Sequence, residues 1–180
     1  MTAPSTNHDA RATTDTSPPR PLTQVLRGCL GRFATGVVVV TFDGLDHGTT
    51  KRHGLTVNSF TSVSLDPPLV LVAIQRSVRA HALLAGRPFT VNVLGAEQRD
   101  LAMHFAGKPN AEPEWVEGAH APRLSGPASW FECTPWAEHD GGDHTLFLGR
   151  VEDFDYRRGD CLGFVDGGFI TIPEPAGGRE

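Results

Sequence analysis

Two short runs of β-branched and aliphatic residues, 36–42 (GVVVVTF) and 69–74 (LVLVAI), constrain this chain most. Each is too short to be a helix with a partner, and each suits a strand covered by other structure. They are the longest clean apolar runs, and a membrane-spanning helix needs about 20 apolar residues, so no membrane partner is expected. A third segment, 89–94 (FTVNVL), reads as another strand.

Between these runs the pattern changes. Leu22, Val25, Leu26, Cys29, Leu30 and Phe33 recur at i, i+3 and i+4, which predicts an amphipathic helix with Pro21 at its start and Gly36 after its end. Residues 43–53 read as a polar loop and 54–64 (GLTVNSFTSVS) as one strand. Residues 65–68 are a turn, because consecutive prolines do not join a ladder. A short helix is expected over 78–85 and a second over 97–105. Residues 108–127 read as irregular, with Trp115 as an anchor. Two strands, 129–139 and 144–155, flank the turn Asp140-Gly141-Gly142-Asp143, and 161–172 supplies one or two more. Six or seven strands joined mostly by short turns predict a mainly β fold with a few helices, an antiparallel barrel rather than a parallel sheet. The 180 residues suffice for one domain, placed at 21–175. Residues 1–20 hold almost no large apolar side chain and are expected to form a disordered tail.

The net charge of −5 and the pI near 5.9 argue against a nucleic-acid partner or an anionic membrane. The N-terminus lacks a charged-then-apolar export pattern. Cys29, Cys133 and Cys161 are widely spaced and odd in number, which reads as free, mostly buried thiols in a reducing compartment and predicts a cytoplasmic protein. No G-x-G-x-x-G follows a strand, and Gly107-Lys108 continues into Pro109, so Rossmann and P-loop sites are not supported. There is no G-x-S-x-G and no H-E-x-x-H. His139 and His144 flank Asp140 and Asp143 at a spacing that matches no standard ligand set, so no metal is expected.

Two segments carry chemistry. Residues 54–64 place Thr56, Asn58, Ser59, Thr61, Ser62 and Ser64 on both faces of a strand between apolar neighbours. Such groups either satisfy nearby backbone or line a ligand rich in donors and acceptors, and a planar heterocycle would fit. Gln75-Arg76-Ser77-Val78-Arg79 then opens the short helix. Ser77 is a candidate N-cap, and the helix end with two guanidinium groups suits a phosphate. An ordinary cap in a solvated basic loop is the alternative. Together the two segments suggest a phosphorylated aromatic cofactor.

FATGVVVVTF (33–42), GLTVNSFTSVSLDPPLVLV (54–72), FTVNVL (89–94), QRDLAMHFAG (98–107) and GGDHTLFLGRV (141–151) resemble the short-chain flavin reductases, the small reductase components of two-component flavin-dependent monooxygenases. The matches run in order over about residues 22–172. The resemblance implies an FMN-binding split β-barrel of Greek-key type, a homodimer, and hydride transfer from NADH or NADPH to FMN or FAD. It also implies delivery of reduced flavin to a monooxygenase partner. By position it gives Thr56, Val57, Asn58 and Ser59 to the isoalloxazine edge and Gln75, Arg76, Ser77 and Arg79 to the ribityl phosphate. Phe105 and Ala106 would pack near the flavin. Asp143, His144 and Phe169 would lie on the nicotinamide side, with His144 orienting the nicotinamide. Many relatives carry Ser-Ser-x-Thr at the phosphate turn, where this chain has Ser77-Val78-Arg79-Ala80. A non-catalytic flavin or haem carrier on the same barrel is the alternative, as is a split-barrel enzyme that oxidises a pyridoxal precursor or uses a deazaflavin. The Gly-Asp-His motif argues against the carrier.

Overall fold

A computed structural model describes residues 21–177. The expected tail at 1–20 lies outside the described residues. Three helices and twelve strands follow in the order α1 (Leu22–Gly31), β1 (Thr35–Gly36), β2 (Val38–Asp46), β3 (Thr49–Val57), β4 (Thr61–Leu65), β5 (Pro68–Gln75), α2 (Arg79–Leu84), β6 (Phe89–Val93), α3 (Arg99–Phe105), β7 (Trp115–Val116), β8 (Arg123–Leu124), β9 (Ser129–Gly141), β10 (His144–Tyr156), β11 (Cys161–Val165) and β12 (Gly168–Ile172).

Seven strands form one sheet in the order β3-β2-β6-β9-β10-β5-β4, with every pairing antiparallel. Its two edges, β3 and β4, are consecutive in the chain and joined by residues 58–60 alone. The four Cα-to-Cα steps from Val57 to Thr61 reach at most about 14 Å. In a flat sheet, six spacings of ~4.8 Å would put those edges roughly 29 Å apart. The sheet must therefore curl until its edges nearly meet. Ser59 bridges the remaining gap: its Oγ accepts from Ala73 N (3.1 Å) and donates to Ala73 O (2.8 Å), on β5. The barrel is split along this seam.

The run Val37–Val40 explains itself once both faces of β2 are followed. Val38, Val40 and Phe42 face the barrel interior with Val70, Val72, Ile74, Phe89, Val91 and Phe147. Leu84 of α2 joins that core. Val37 and Val39 face outward into a second core with Leu94, Ala102, Leu124 and Leu162. α3 and the small sheet β1-β11-β12 cover this second core, where Phe105, Trp115, Phe164 and Phe169 are half-buried. Each fully buried aliphatic or Phe side chain contributes about 1.5–3 kcal/mol. Asn92, fully buried between the layers, is satisfied: its Nδ2 donates to Val39 O and Thr41 Oγ1, and its Oδ1 accepts from Leu124 N.

Several expectations need correction. Residues 43–53 are the tip of a hairpin rather than a loop: β2 runs to Asp46 and β3 starts at Thr49. The two-residue turn is His47-Gly48, both at positive φ (49° and 80°), which matches the twist of the flanking strands. Residues 54–64 are not one strand but parts of β3 and β4, the two edges of the split. Residues 108–127, expected to be irregular, hold the short pair β7–β8, and Trp115 packs against the second core as the anchor expected there. The amphipathic helix is present as α1, yet none of its residues is buried. Cys29 is exposed, while Cys133 is buried.

Candidate functional site

The end of β3 carries the site because the ladder leaves it there. Thr56 pairs with Val39 in register, and its Oγ1 donates to Ala102 O (2.7 Å), which ties α3 to the strand. Val57 is the last strand residue, and Asn58 stands exposed at the seam. Among the described residues the Asn58 amide has no side-chain partner.

Two cavities open on either side of residues 56–58, and Thr56, Val57 and Asn58 line both. The first, about 220 Å³, adds Ser59, Ala73, Gln75, Val78 and His144. Gln75 and His144 are direct partners in the β5–β10 ladder, so the register places a carboxamide beside an imidazole. The second cavity, about 190 Å³, adds Val37, Ala106, Phe164 and Phe169. Phe164 and Phe169 pack edge to face, with centroids 5.5 Å apart. The Arg99 guanidinium lies 5.6 Å from the Phe169 ring centre. Neither cavity alone reaches the ~300 Å³ usual for a small-molecule site, but the pair with its shared wall does.

His144 Nδ1 lies 2.7 Å from Asp143 Oδ1. That hydrogen bond and the charge of His144 hold the Asp143 carboxyl below its ordinary value. The pairing leaves Nε2 as the ring's other polar atom.

The structure thus gathers Thr56, Val57, Asn58, Ser59, Gln75 and His144 around one cavity, and Ala106 and Phe169 with the shared wall around the other. His144 and Phe169, both expected on the nicotinamide side, stand in different cavities. Phe105 lines neither: it packs against Gly54 and, edge to face, against Trp115. Ser77 is exposed and does not cap α2. The cap position is Val78, without a side-chain bond, and the helix has only six residues, so its N-terminus alone makes no anion site. Arg79 is engaged by the carboxylate of Asp46, and Arg76 by Asp140. Both guanidinium groups stay largely exposed, 47% for Arg76 and 66% for Arg79.

Val37, Val78 and Phe164 are wall residues that sequence reasoning missed. Phe164 had a signal. It faces Phe169 across the turn Asp166-Gly167, whose φ values of 51° and 79° make the tight hairpin that a Phe-x-Asp-Gly-x-Phe spacing predicts.

A family model described as a flavin reductase like domain matches residues 30–173. An NADH-dependent flavin reductase of Rhodococcus sp is 41% identical over 153 residues, covering 82% of this chain and 85% of that one. The reductase component of a flavin-dependent trigonelline monooxygenase of Acinetobacter baylyi is 38% identical over 151 residues, 81% of this chain, and this chain spans about half (48%) of its length. The crystal structure of the flavin reductase component of a bacterial two-component tryptophan halogenase superposes with a TM-score of 0.75 at 39% identity, covering 85% of this chain and 99% of that one.

Proposed function

The chain belongs to the flavin reductase like domain family, and from that premise we propose that residues 56–58 are the floor on which this NADH-dependent flavin reductase brings its two ring substrates together. The substrates are NADH and FMN or FAD. The observation that carries this reading is the double role of Thr56, Val57 and Asn58 as wall of both cavities.

The residues fit such ligands. The backbone and amide of Asn58, the Ser59 backbone and Gln75 offer donors and acceptors to the polar edge of a heterocycle. Ala106, Phe164 and Phe169 offer a flat apolar surface for a ring. When bound, the nicotinamide supplies the hydride and the flavin accepts it, so the protein supplies orientation and dryness and needs no triad of its own. Holding two rings at near-attack separation is the larger part of that contribution. His144, steadied by Asp143, orients the nicotinamide carboxamide through Nε2. Phe105 supports the floor from behind rather than touching a ring.

The reduced flavin is released to a monooxygenase component, a reading supported by the relatives named as reductase components. The working unit is a homodimer, supported by the apolar surface that a single chain leaves uncovered. Among the described residues no helix is long and apolar enough to cross a membrane. A cytoplasmic location follows from the free thiols, as read from the sequence.

Asn58→Trp tests the site directly, because the new side chain would fill the shared wall without disturbing a buried contact. We expect at least about a tenfold loss of kcat/KM for the flavin, equivalent to roughly 1.4 kcal/mol, with an unchanged melting temperature. Wild-type kinetics with FMN in this variant would show that the ring binds elsewhere.

A further inference from the structure

Arg76 stands at the turn where a phosphate ligand was expected, and three of its donor groups reach another segment. Its backbone N–H donates to Asp143 O (2.9 Å). Its Nε donates to His144 O (3.2 Å), and one terminal nitrogen pairs with Asp140 Oδ1 at 3.0 Å. The same Asp140 oxygen accepts from Gly142 N (2.8 Å). One side chain from the turn between β5 and α2 therefore clasps the whole tip of the β9–β10 hairpin, from Asp140 to His144.

The clasp sits where the sheet stops. Gln75 opposite His144 is the last pair of the β5–β10 ladder. Beyond it the tip has no strand beside it on that side, and Arg76 takes over the role of neighbour. Loop tips that lack such ties move. Asp143 holds the His144 ring, but Asp143 is itself on the tip, so it cannot fix the tip to the body. Among the described side-chain bonds Arg76 alone reaches residues 140–144 from the body, while His81 meets Thr145 Oγ1 (2.8 Å) one residue further along β10. The guanidinium is half exposed (47%) and Asp140 more so. An exposed pair of this kind adds little to global stability, so its consequence is positional.

We infer that Arg76 is a positioning residue that acts through His144: it fixes the hairpin tip so that the imidazole stands in the cavity wall beside Gln75, and it does not bind the flavin phosphate. The inference rests on the reading of His144 as the residue that meets the nicotinamide.

The test is a double-mutant cycle on the full chain: wild type, Arg76→Ala, His144→Ala and the double variant, each assayed with NADH against both FMN and riboflavin. Arg76→Ala should raise the KM for NADH by about tenfold, leave the melting temperature within error, and leave the FMN-to-riboflavin preference unchanged. In the His144→Ala background the same substitution should add nothing, since coupled residues are non-additive. Asp140→Ala opens the clasp from the other side, and it should reproduce the NADH defect. Independent, multiplying effects of the two substitutions would overturn the inference. So would wild-type kinetics in Arg76→Ala, or a loss confined to FMN and absent with riboflavin, which would make Arg76 a phosphate ligand. Should His144→Ala itself leave NADH kinetics unchanged, the reading of the site falls, and the role of Arg76 through His144 falls with it.

Discussion

Gly54 shows how little room single residues have around this site. A Cβ built on it would lie 2.3 Å from two ring carbons of Phe105. Phe105 cannot retreat freely, because Trp115 packs edge to face on it at 5.9 Å and Arg52 lies over Trp115. Gly54→Ala should therefore destabilise the protein by about 1–3 kcal/mol, the usual cost of overpacking. It should also raise the flavin KM, because the residue after Phe105 is the cavity residue Ala106. Denaturant unfolding and steady-state kinetics check both parts, and a variant with wild-type stability would contradict the packing account. Cys133 shows the same closeness in another form. Burial first, then the charges of Glu132 and Glu152, push its thiol up to about 12, so it serves as a small core side chain. At this scale the sequence revealed which residues matter better than what they do. Position in a motif marked Phe105 and Arg76, but only depth and partners separate a ring contact from a support. Thr56 and Ser59 turn their hydroxyls to backbone carbonyls, the plainer of the two readings left open for that strand.

At the scale of elements, buried strands were legible and edges were not. β2, β5 and β6 announce themselves because coverage on both faces demands continuous apolar residues. β3 is an edge strand whose outer half is exposed, so its polar sequence reads as loop, and residues 58–60 sit in a strand-like pattern although they cross the split. α1 was found by its period, but a period reports an apolar face without saying what covers it. The clasp between α2 and the β2–β3 hairpin was invisible because Asp46 and Arg79 are 33 residues apart. Burial alone would raise the Asp46 carboxyl. The hydrogen bond from Lys51 and the charges of Arg79, Lys51 and His47 outweigh it and hold Asp46 below the ordinary 3.8. A depressed carboxylate stabilises the fold above its unfolded value, and that contribution is lost as the pH falls through the lower folded value. The stability difference between wild type and Asp46→Asn should therefore be constant above about pH 5 and close below about pH 4. Urea unfolding across that range checks it, and a difference that persists unchanged into the acid would contradict the ionic clasp.

For the molecule as a whole, a lone chain leaves too much apolar surface in water. Leu22, Leu26, Leu30 and Phe33 of the α1 region are exposed, and Leu65 is 94% exposed. A largely apolar cavity of about 420 Å³ opens between β4, β5 and β10, with Leu65 and Phe154 at its rim. Surfaces of this kind mark association. Light scattering should return twice the 19.4 kDa chain mass, and replacing Leu26 and Leu30 with Ser should shift the species to a monomer. A wild-type monomer at assay concentration would refute the homodimer. Arg76 and Arg79 each meet a carboxylate, so the ring should contribute more to flavin recognition than the phosphate. The most direct measurement is NADH consumption by the purified protein with FMN, FAD and riboflavin supplied in turn. Turnover should depend on added flavin, with riboflavin close to FMN. No NADH consumption with any flavin, alongside measurable flavin binding, would contradict it and leave a carrier in its place.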